Sequence, residues 1–321
     1  MQKTAQNGLL DIQGLTVSYS TPRGKLKAVV DVDLSVKKGE ILGIVGESGS
    51  GKSTLALAVL RSLPPTGNVE AGTIRLEDLD VLSLRGEALR RYRWEKAAMV
   101  FQSAMNALDP VKTIESQIVE TMQHHKRIGT QQAKDRVRSL LSMVNIDPSR
   151  AKSFPHELSG GMRQRAIIAM ALCLDSALLL ADEPTTALDV VVQAAVLRTI
   201  KDLQRRLGLT VIIISHDVSI MSSITDRIAI MYAGKLVEVG PTKEVIASPQ
   251  HPYTEALLNA VPEIGIAKTM KSIPSSPPSL YSPPTGCRFH PRCPYAFDKC
   301  RAEEPKLLRV NQQEVACWLR S

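Results

Sequence analysis

The sequence has few aromatic residues and no long apolar stretch, and both absences limit what the chain can be. Only 4% of its 321 residues are aromatic, although 44% are hydrophobic. A core of this composition must be mainly aliphatic, as the cores around parallel sheets usually are. No stretch reaches the roughly 18 apolar residues that a membrane-spanning helix requires. The nearest, residues 166–174, is followed by Asp175. We therefore expect a soluble, cytosolic chain.

A secretory signal and a nucleic-acid partner are also not expected. Residues 1–7 lack the apolar core of a signal peptide. The net charge of +8 would permit binding to nucleic acid. However, the densest basic stretch, residues 85–96, also carries Glu87 and Glu95, and a solvated helical face explains it more simply. Attraction to an anionic membrane surface is a further interpretation.

The apolar pattern predicts an α/β core. Residues 10–19 and 32–36 partly alternate apolar and polar side chains, as antiparallel strands do. Continuous apolar runs are typical of strands buried on both faces, and they occupy residues 41–45, 177–181 and 210–214. Residues 190–207 have helical spacing and precede Gly208, a predicted C-cap. This alternation of strand, helix and strand indicates a parallel sheet.

The composition divides the chain into three parts. Residues 9–260 form the predicted main domain, and a mostly helical stretch from 113 to 145 predicts a helical subdomain of about 105–165 inserted into it. Residues 261–286 are rich in proline and serine, which predicts a stiff, extended linker. Residues 287–321 form a tail that contains four of the five cysteines.

A phosphate-binding loop follows the first buried strand. Residues 46–53 have the pattern G-x-x-x-x-G-K-S/T, and strand, loop and helix are the context that confirms such a match. Its glycines let successive backbone N–H groups point at phosphate oxygens. Lys52 would reach the β and γ oxygens, and the Ser53 hydroxyl would bind Mg²⁺.

An acidic pair ends the second buried run. Asp182 and Glu183 lie at the carboxyl edge of the predicted sheet, where open α/β sheets bind ligands. An isolated Asp-Glu pair would favour a simple acidic turn before a helix. With a phosphate loop in the same chain, the catalytic interpretation is preferred, with Asp182 holding Mg²⁺ through water.

A second phosphate-binding surface is predicted at Ser159, Gly160 and Gly161, which open a helix. One chain does not need two such surfaces for one phosphate group. We therefore predict that each surface closes on a nucleotide held by another subunit.

The chain resembles the ATP-binding cassette family in four segments that follow one another in a fixed order. They are the phosphate loop, Gln102, residues 158–164 and residues 178–183. The resemblance covers about residues 9–260. Further segments make the chain resemble more closely the ATP-binding subunits of oligopeptide and dipeptide importers (the OppD/DppD type). These segments are residues 154–157, residues 187–189, His216, residues 251–254 and the cysteine tail. The resemblance implies a P-loop ATPase core with an antiparallel β subdomain, beside the inserted helices and the tail.

The resemblance also implies residue roles. Glu183 would be the general base, His216 would contact the γ-phosphate, and the Gln102 amide would reach the metal and the attacking water. Tyr19 would stack on adenine. The predicted ATP-binding residues are Tyr19, Gly46, Ser48, Gly49, Ser50, Gly51, Lys52, Ser53, Thr54, Ser159, Gly160 and Gly161, and the predicted Mg²⁺ ligands are Ser53, Gln102 and Asp182.

The partners implied are a paralogous cassette in a heterodimer, two transmembrane permeases and an extracytoplasmic solute-binding protein. The chain would lie peripherally at the cytoplasmic face of the inner membrane. The alternative is a soluble cassette ATPase that acts on nucleic acid or the ribosome, and a small-molecule kinase is more remote. Peptides are the default cargo of the family, but related subunits serve other solutes.

The tail cysteines, Cys287, Cys293, Cys300 and Cys317, have the spacing C-x5-C-x6-C-x16-C. Disulfides are disfavoured in the cytosol, so clustered cysteines indicate metal ligands. Four thiolates suit Zn²⁺ or an iron–sulfur cluster, and spacing alone favours zinc. The resemblance of residues 286–294 to the importer tail implies a 4Fe-4S cluster instead. Cys173 is predicted to be a buried core residue.

Overall fold

The computed structural model describes residues 8–102, 104–186, 188–260, 273 and 275–320, and of Asn106 only the backbone. The predictions for residues 1–7 and for half of the 261–286 linker therefore lie outside the described residues, as does Ala187 of the 187–189 segment.

The strands within these ranges are β1 (Gly8–Thr21), β2 (Gly24–Lys37), β3 (Ile41–Val45), β4 (Gly67–Leu76), β5 (Leu79–Asp80), β6 (Ala97–Val100), β7 (Leu178–Asp182), β8 (Thr210–Ser215), β9 (Arg227–Tyr232), β10 (Lys235–Pro241), β11 (Leu308–Val310) and β12 (Gln313–Val315). The helices are α1 (Lys52–Val59), α2 (Gly86–Glu95), α3 (Ile114–His125), α4 (Thr130–Met143), α5 (Gly160–Ala171), α6 (Val190–Leu207), α7 (Val218–Ile224), α8 (Thr242–Ala247), α9 (Pro252–Asn259) and α10 (Asp298–Ala302).

The described chain divides into two compact units. The first contains residues up to 37, residues 42–82 and residues from 214 onward, and the second contains residues 38–41 and 83–213. The division passes through β8. None of the helices in the described ranges combines the length and the apolar character needed to cross a bilayer.

The first unit contains an antiparallel sheet in the order β2-β1-β4-β5. In β1, Leu10, Ile12, Leu15 and Val17 are buried, with polar residues between them. This near-alternation buries one face of the sheet, and it explains why the sequence predicted antiparallel strands here.

The strands β11-β12-β10-β9-β3 form the other sheet region of the first unit. The strand β3 is parallel to β9, with Leu42 opposite Arg227. The tail strand β12 is antiparallel to β10, with Glu238 opposite Val315. The cysteine-rich tail thus extends the sheet region that contains β3, the strand that leads into the phosphate loop.

In the second unit, β6 and β7 are parallel, with Ala97 opposite Leu178, and β8 lies next to β7. All five residues of β7 are buried. Asp182 is its last residue, so the strand is shifted by one position from the predicted 177–181.

The helices of the second unit follow local signals. The Thr113 side chain accepts the Ser116 N–H and starts α3, and α4 packs against α3 after the break at residues 126–129. The helix α6 spans the predicted residues 190–207 and ends at Gly208 with φ 62°, as a left-handed C-cap does. The buried Ala133, Val137 and Leu140 form one side of α4, as expected for an amphipathic helix.

Candidate active site

The phosphate loop joins β3 to α1 in the first unit, as the sequence predicted. Two of its glycines allow close packing that a side chain would prevent. A Cβ at Gly46 would lie 2.1 Å from the carbonyl oxygen of Met231, and one at Gly51 would lie 2.3 Å from that of Ala28. Gly51 also has φ 104°, which favours glycine. The loop is therefore held against β2 and β9.

The Lys52 side chain turns back into this loop. Its Nζ donates to the carbonyl oxygens of Gly46 at 2.7 Å and Glu47 at 2.8 Å, and the residue is 6% exposed. Ser48 and Gly49 are exposed, whereas Ser50 is buried. The ammonium thus lies inside the loop, where phosphate oxygens would compete with the carbonyls for its protons.

Tyr19 lies beside the same loop. Its hydroxyl is 3.1 Å from the Thr54 hydroxyl oxygen, and Ser53 and Thr54 are both half-buried at the start of α1. A Cβ at Gly67 would lie 2.9 Å from the tyrosine ring, so the ring packs against that glycine. Stacking of Tyr19 on adenine stays a prediction.

His216 follows β8 and is exposed. The next residue, Asp217, accepts the Ser219 N–H at 2.8 Å and so begins α7. The histidine is therefore at a strand end, and its contact with a γ-phosphate stays a prediction.

Gln102 and Glu183 meet in the second unit. The Gln102 amide donates to the Glu183 carboxylate at 3.0 Å, and the Thr186 hydroxyl donates to the same oxygen at 2.9 Å. Glu183 has φ 46°, a left-handed conformation that costs energy for a residue other than glycine and is typical of functional sites. The neighbouring Asp182 is 5% exposed. Two side chains predicted separately from the sequence are thus hydrogen-bonded partners.

The predicted second phosphate surface lies at the start of α5. Ser159 is exposed, and its hydroxyl accepts the Met162 N–H at 3.3 Å. A Cβ at Gly161 would lie 2.4 Å from the Val192 side chain, so α5 packs closely on the start of α6. Asp189 caps α6 by accepting the Val192 N–H at 2.9 Å. The starts of both helices are therefore adjacent.

The four tail cysteines line one small cavity, together with His251 and Trp318. Its volume is about 10 Å³, which is roughly the space of one water molecule. Burial raises the pKa of Cys287 to about 11, and it also raises the pKa of Cys293. Among the residues that the structure describes, no group of three or more His, Cys, Asp or Glu side chains is arranged to hold a metal ion. Cys173 is buried, as predicted.

An aromatic cluster joins the tail to α9. Phe289 is 2% exposed and lies 5.2 Å from the Tyr232 ring and 5.4 Å from the Tyr253 ring. Burial lowers the pKa of His251 to about 3. Its neutral ring accepts the Tyr253 N–H at 3.0 Å and begins α9.

One ion pair at the phosphate loop was not predicted. Arg292 donates to both carboxylate oxygens of Glu47, at 2.7 and 3.0 Å. The two residues are separated by 245 positions. Neither residue has a local pattern that identifies its partner, so the sequence could not have indicated the pair.

Two family models match separate parts of the chain. The model described as ABC transporter matches residues 29–186, and the model described as oligopeptide/dipeptide transporter, C-terminal region, matches residues 237–300. The first match contains the phosphate loop and the pair Asp182 and Glu183. The second contains Cys287, Cys293 and Cys300.

Curated relatives align along nearly the whole chain. The dipeptide transport ATP-binding protein DppD of Haemophilus influenzae is 43% identical, over 96% of this chain and 94% of that protein. The Bacillus subtilis protein of the same name is 42% identical, over 97% and 94%. A putative peptide import ATP-binding protein of Brucella ovis is 43% identical, over 97% of both chains.

Solved structures resemble most of the chain. The protein cbiO1 of Clostridium perfringens, part of the ABC transporter complex cbiONQ, has a TM-score of 0.67 at 26% identity, over 76% of this chain and 92% of that one. The ATP-binding cassette MJ0796, a post-hydrolysis dimer bound to ADP and Pi, has a TM-score of 0.64 at 27% identity, over 73% and 98%.

Proposed function

This chain belongs to the ABC transporter family as the ATP-binding subunit of a peptide importer, and we propose which of its residues carry each step of ATP hydrolysis. The match of residues 237–300 to the oligopeptide/dipeptide transporter region carries the assignment, because it adds an importer-specific segment to a general cassette. The likeness to dipeptide transport proteins extends over nearly the full chain and supports a dipeptide or oligopeptide cargo.

We assign ATP binding to the phosphate loop and to Tyr19. The backbone N–H groups of residues 46–54 would surround the phosphates, and the start of α1 would add the positive end of its dipole. Lys52 would exchange its loop carbonyls for β and γ oxygens, which its position inside the loop favours. Tyr19, beside Thr54, would stack on adenine.

Mg²⁺ is expected with ATP in this family. We assign its ligands to the Ser53 hydroxyl, the Gln102 amide and the Asp182 carboxylate, the last through water. The donor set fits, because hydroxyl, amide and carboxylate oxygens are the ligands that Mg²⁺ prefers. Bound there, it would supply positive charge to the β and γ oxygens.

Glu183 would accept a proton from the water that attacks the γ-phosphate. Gln102 donates to this carboxylate at 3.0 Å, so it would fix the orientation of the base as well as contact the water. His216 would bind the γ-phosphate from the end of β8. Ser159, Gly160 and Gly161 would bind the γ-phosphate of the ATP held by a partner cassette.

The transport complex would contain further subunits. We propose a heterodimer with a paralogous cassette, bound to two transmembrane permeases and supplied by an extracytoplasmic solute-binding protein. This assembly would place the chain peripherally at the cytoplasmic face of the inner membrane. Phe101, which is 47% exposed next to Gln102, would contribute to a permease contact.

Co-purification tests this assignment against a cassette ATPase that acts on nucleic acid or the ribosome. A tagged chain should purify in mild detergent with two polytopic membrane proteins, and its deletion should abolish uptake of a labelled dipeptide. The untagged strain is the control. Recovery of ribosomal RNA in place of the permeases, with dipeptide uptake intact, would contradict it.

The domain boundaries stay a prediction. We propose a nucleotide-binding domain of residues 9–260 that contains an inserted helical subdomain of about 105–165, to which α3 and α4 belong. Residues 261–286 would be the linker, and residues 287–321 the tail. The pairing of β12 with β10 supports a structural role of the tail on its own cassette.

We propose that Cys287, Cys293, Cys300 and Cys317 hold a metal centre, with a 4Fe-4S cluster as the first choice and Zn²⁺ as the alternative. The four thiols share a cavity, so the donor type and number fit either centre. The cavity of about 10 Å³ admits about one water molecule, so assembly of a cluster would require the cavity to widen.

Anaerobic purification should give brown protein that contains iron and acid-labile sulfide. Replacing any one of the four cysteines by serine should remove the colour, because each thiolate is a ligand. Cys173→Ser is the matched control and should keep the colour, since Cys173 is buried in the other unit. Colourless protein with one zinc per chain would contradict the cluster, and metal-free protein would contradict both centres.

A further inference from the structure

The phosphate loop contains an acidic side chain. Glu47 follows the first glycine of the loop, and its carboxylate forms a two-pronged ion pair with Arg292 at 2.7 and 3.0 Å. Paired N–H donors from one guanidinium fix both distance and direction, which a single contact does not. The loop that would bind ATP is therefore tied to the cysteine-rich tail of its own chain.

The tail holds Arg292 firmly. The Arg292 side chain is 3% exposed. It follows the buried Phe289 in a short turn, His290–Arg292, which ends at Cys293. Its guanidinium also donates to the Tyr232 hydroxyl at 3.3 Å and lies 5.8 Å from the centre of that ring. The position of the charge is thus set by packing, and Arg292 has little freedom to leave Glu47.

The backbone of Glu47 is held at the same place. Its N–H donates to the Tyr253 hydroxyl at 2.9 Å, and its carbonyl oxygen accepts from Lys52 at 2.8 Å. The N–H, the carbonyl and the carboxylate of this residue therefore all have partners. Together these contacts fix the first turn of the loop, whose carbonyl oxygens at Gly46 and Glu47 hold the Lys52 ammonium.

The charge of Glu47 needs this partner. A carboxylate in a phosphate loop repels a triphosphate, and the low exposure of the site limits screening by water. Arg292 cancels the negative charge. Arg292 also needs Glu47, because a buried guanidinium without its carboxylate is strongly unfavourable. The two family matches contain one residue each, so neither match by itself describes the pair.

We propose that Arg292 is a positioning residue of the ATP site. By neutralising Glu47 and fixing its direction, Arg292 makes the cysteine-rich tail a part of the ATP-binding site of the same chain. This proposal rests on the hydrolysis of ATP by this subunit, and it adds a role of the tail in ATP affinity to its structural role.

A double-mutant cycle on the purified transport complex tests it. The Michaelis constant for ATP and kcat are measured for the wild type, Arg292→Gln, Glu47→Gln and the double variant. Arg292→Gln should raise the Michaelis constant about tenfold, because coupling between close charge pairs reaches this size. Its kcat should change less than about twofold, because the pair does not touch the reacting water. In the double variant the Michaelis constant should return to within about threefold of the wild type, because the unpaired carboxylate is gone.

Arg309→Gln is the matched control. Arg309 lies in the same tail, in β11, is exposed, and donates to the Asn311 carbonyl oxygen at 3.2 Å. Its variant should keep the wild-type Michaelis constant. Arg292→Lys should recover only part of the affinity, because an ammonium cannot form the two-pronged pair.

An unchanged Michaelis constant in Arg292→Gln would overturn the proposal. The proposal would also be overturned if Arg292→Gln lost ATP affinity, the added Glu47→Gln did not restore it, and the loss only accompanied a lower melting temperature. Failure of the ATPase assignment would give a different result. The wild-type complex itself would then show no ATP hydrolysis that Lys52→Ala abolishes.

Discussion

Glu183→Gln should stop ATP turnover while ATP stays bound. The amide has the shape of the carboxylate but cannot accept a proton from water, so the general base is lost. Such bases contribute about 10²- to 10⁴-fold to rate, and we expect hydrolysis to fall within this range. Binding should persist, because the phosphate-binding contacts are assigned to the loop that contains Lys52.

The measurement is phosphate release together with retention of labelled ATP on the purified complex. Lys52→Ala should behave differently and lose both retention and hydrolysis, because its ammonium is assigned to the β and γ oxygens. Glu120→Gln changes an exposed carboxylate that pairs with Lys112, and it should leave both quantities unchanged. Hydrolysis by Glu183→Gln at a near-normal rate would refute the general-base assignment.

The parts of the molecule that the sequence predicted well have local causes. The helix α6 and its end at Gly208 follow from apolar spacing and from a glycine where a left-handed C-cap is needed, and the sequence shows both the spacing and the glycine. The phosphate loop was predicted for the same reason, since a short motif between a strand and a helix fixes its geometry. The contact of Gln102 with Glu183 was within reach because the resemblance assigned one to the attacking water and the other to its general base.

The parts that were missed depend on pairs distant in sequence. The tail has no hydrolytic motif, so its residues indicated only a metal centre. The ion pair of Arg292 with Glu47 and the pairing of β12 with β10 are set by the folded chain, and no local pattern encodes either. The one-residue shift of β7 is a smaller miss, because a hydrophobic pattern predicts the existence of a strand better than its ends.

Ser159→Arg should inactivate the assembled transporter without weakening ATP binding to its own loop. Ser159 is exposed at the start of α5, and Gly161 lets that helix pack on α6 beside Val192. Val190 and Val191, each 79% exposed, add an apolar surface at the start of α6. The positive end of a helix dipole attracts an anion, and exposed apolar residues favour contact with another protein. Both features suit this surface to bind a partner cassette at its ATP site.

We expect hydrolysis to fall about 10²-fold or more, the usual loss when one preorganised contact to developing charge is removed. ATP affinity of the separated subunit should stay within about twofold of the wild type, because the loop with Lys52 is untouched. Ser142→Arg, on an exposed position of α4, is the matched control and should remain active. A disulfide crosslink in ATP-trapped complexes should join Ser159→Cys to a cysteine placed in the phosphate loop of the partner. Crosslinking instead to a cysteine in the phosphate loop of its own chain would refute the arrangement, because the second phosphate surface would then serve the same nucleotide as Lys52.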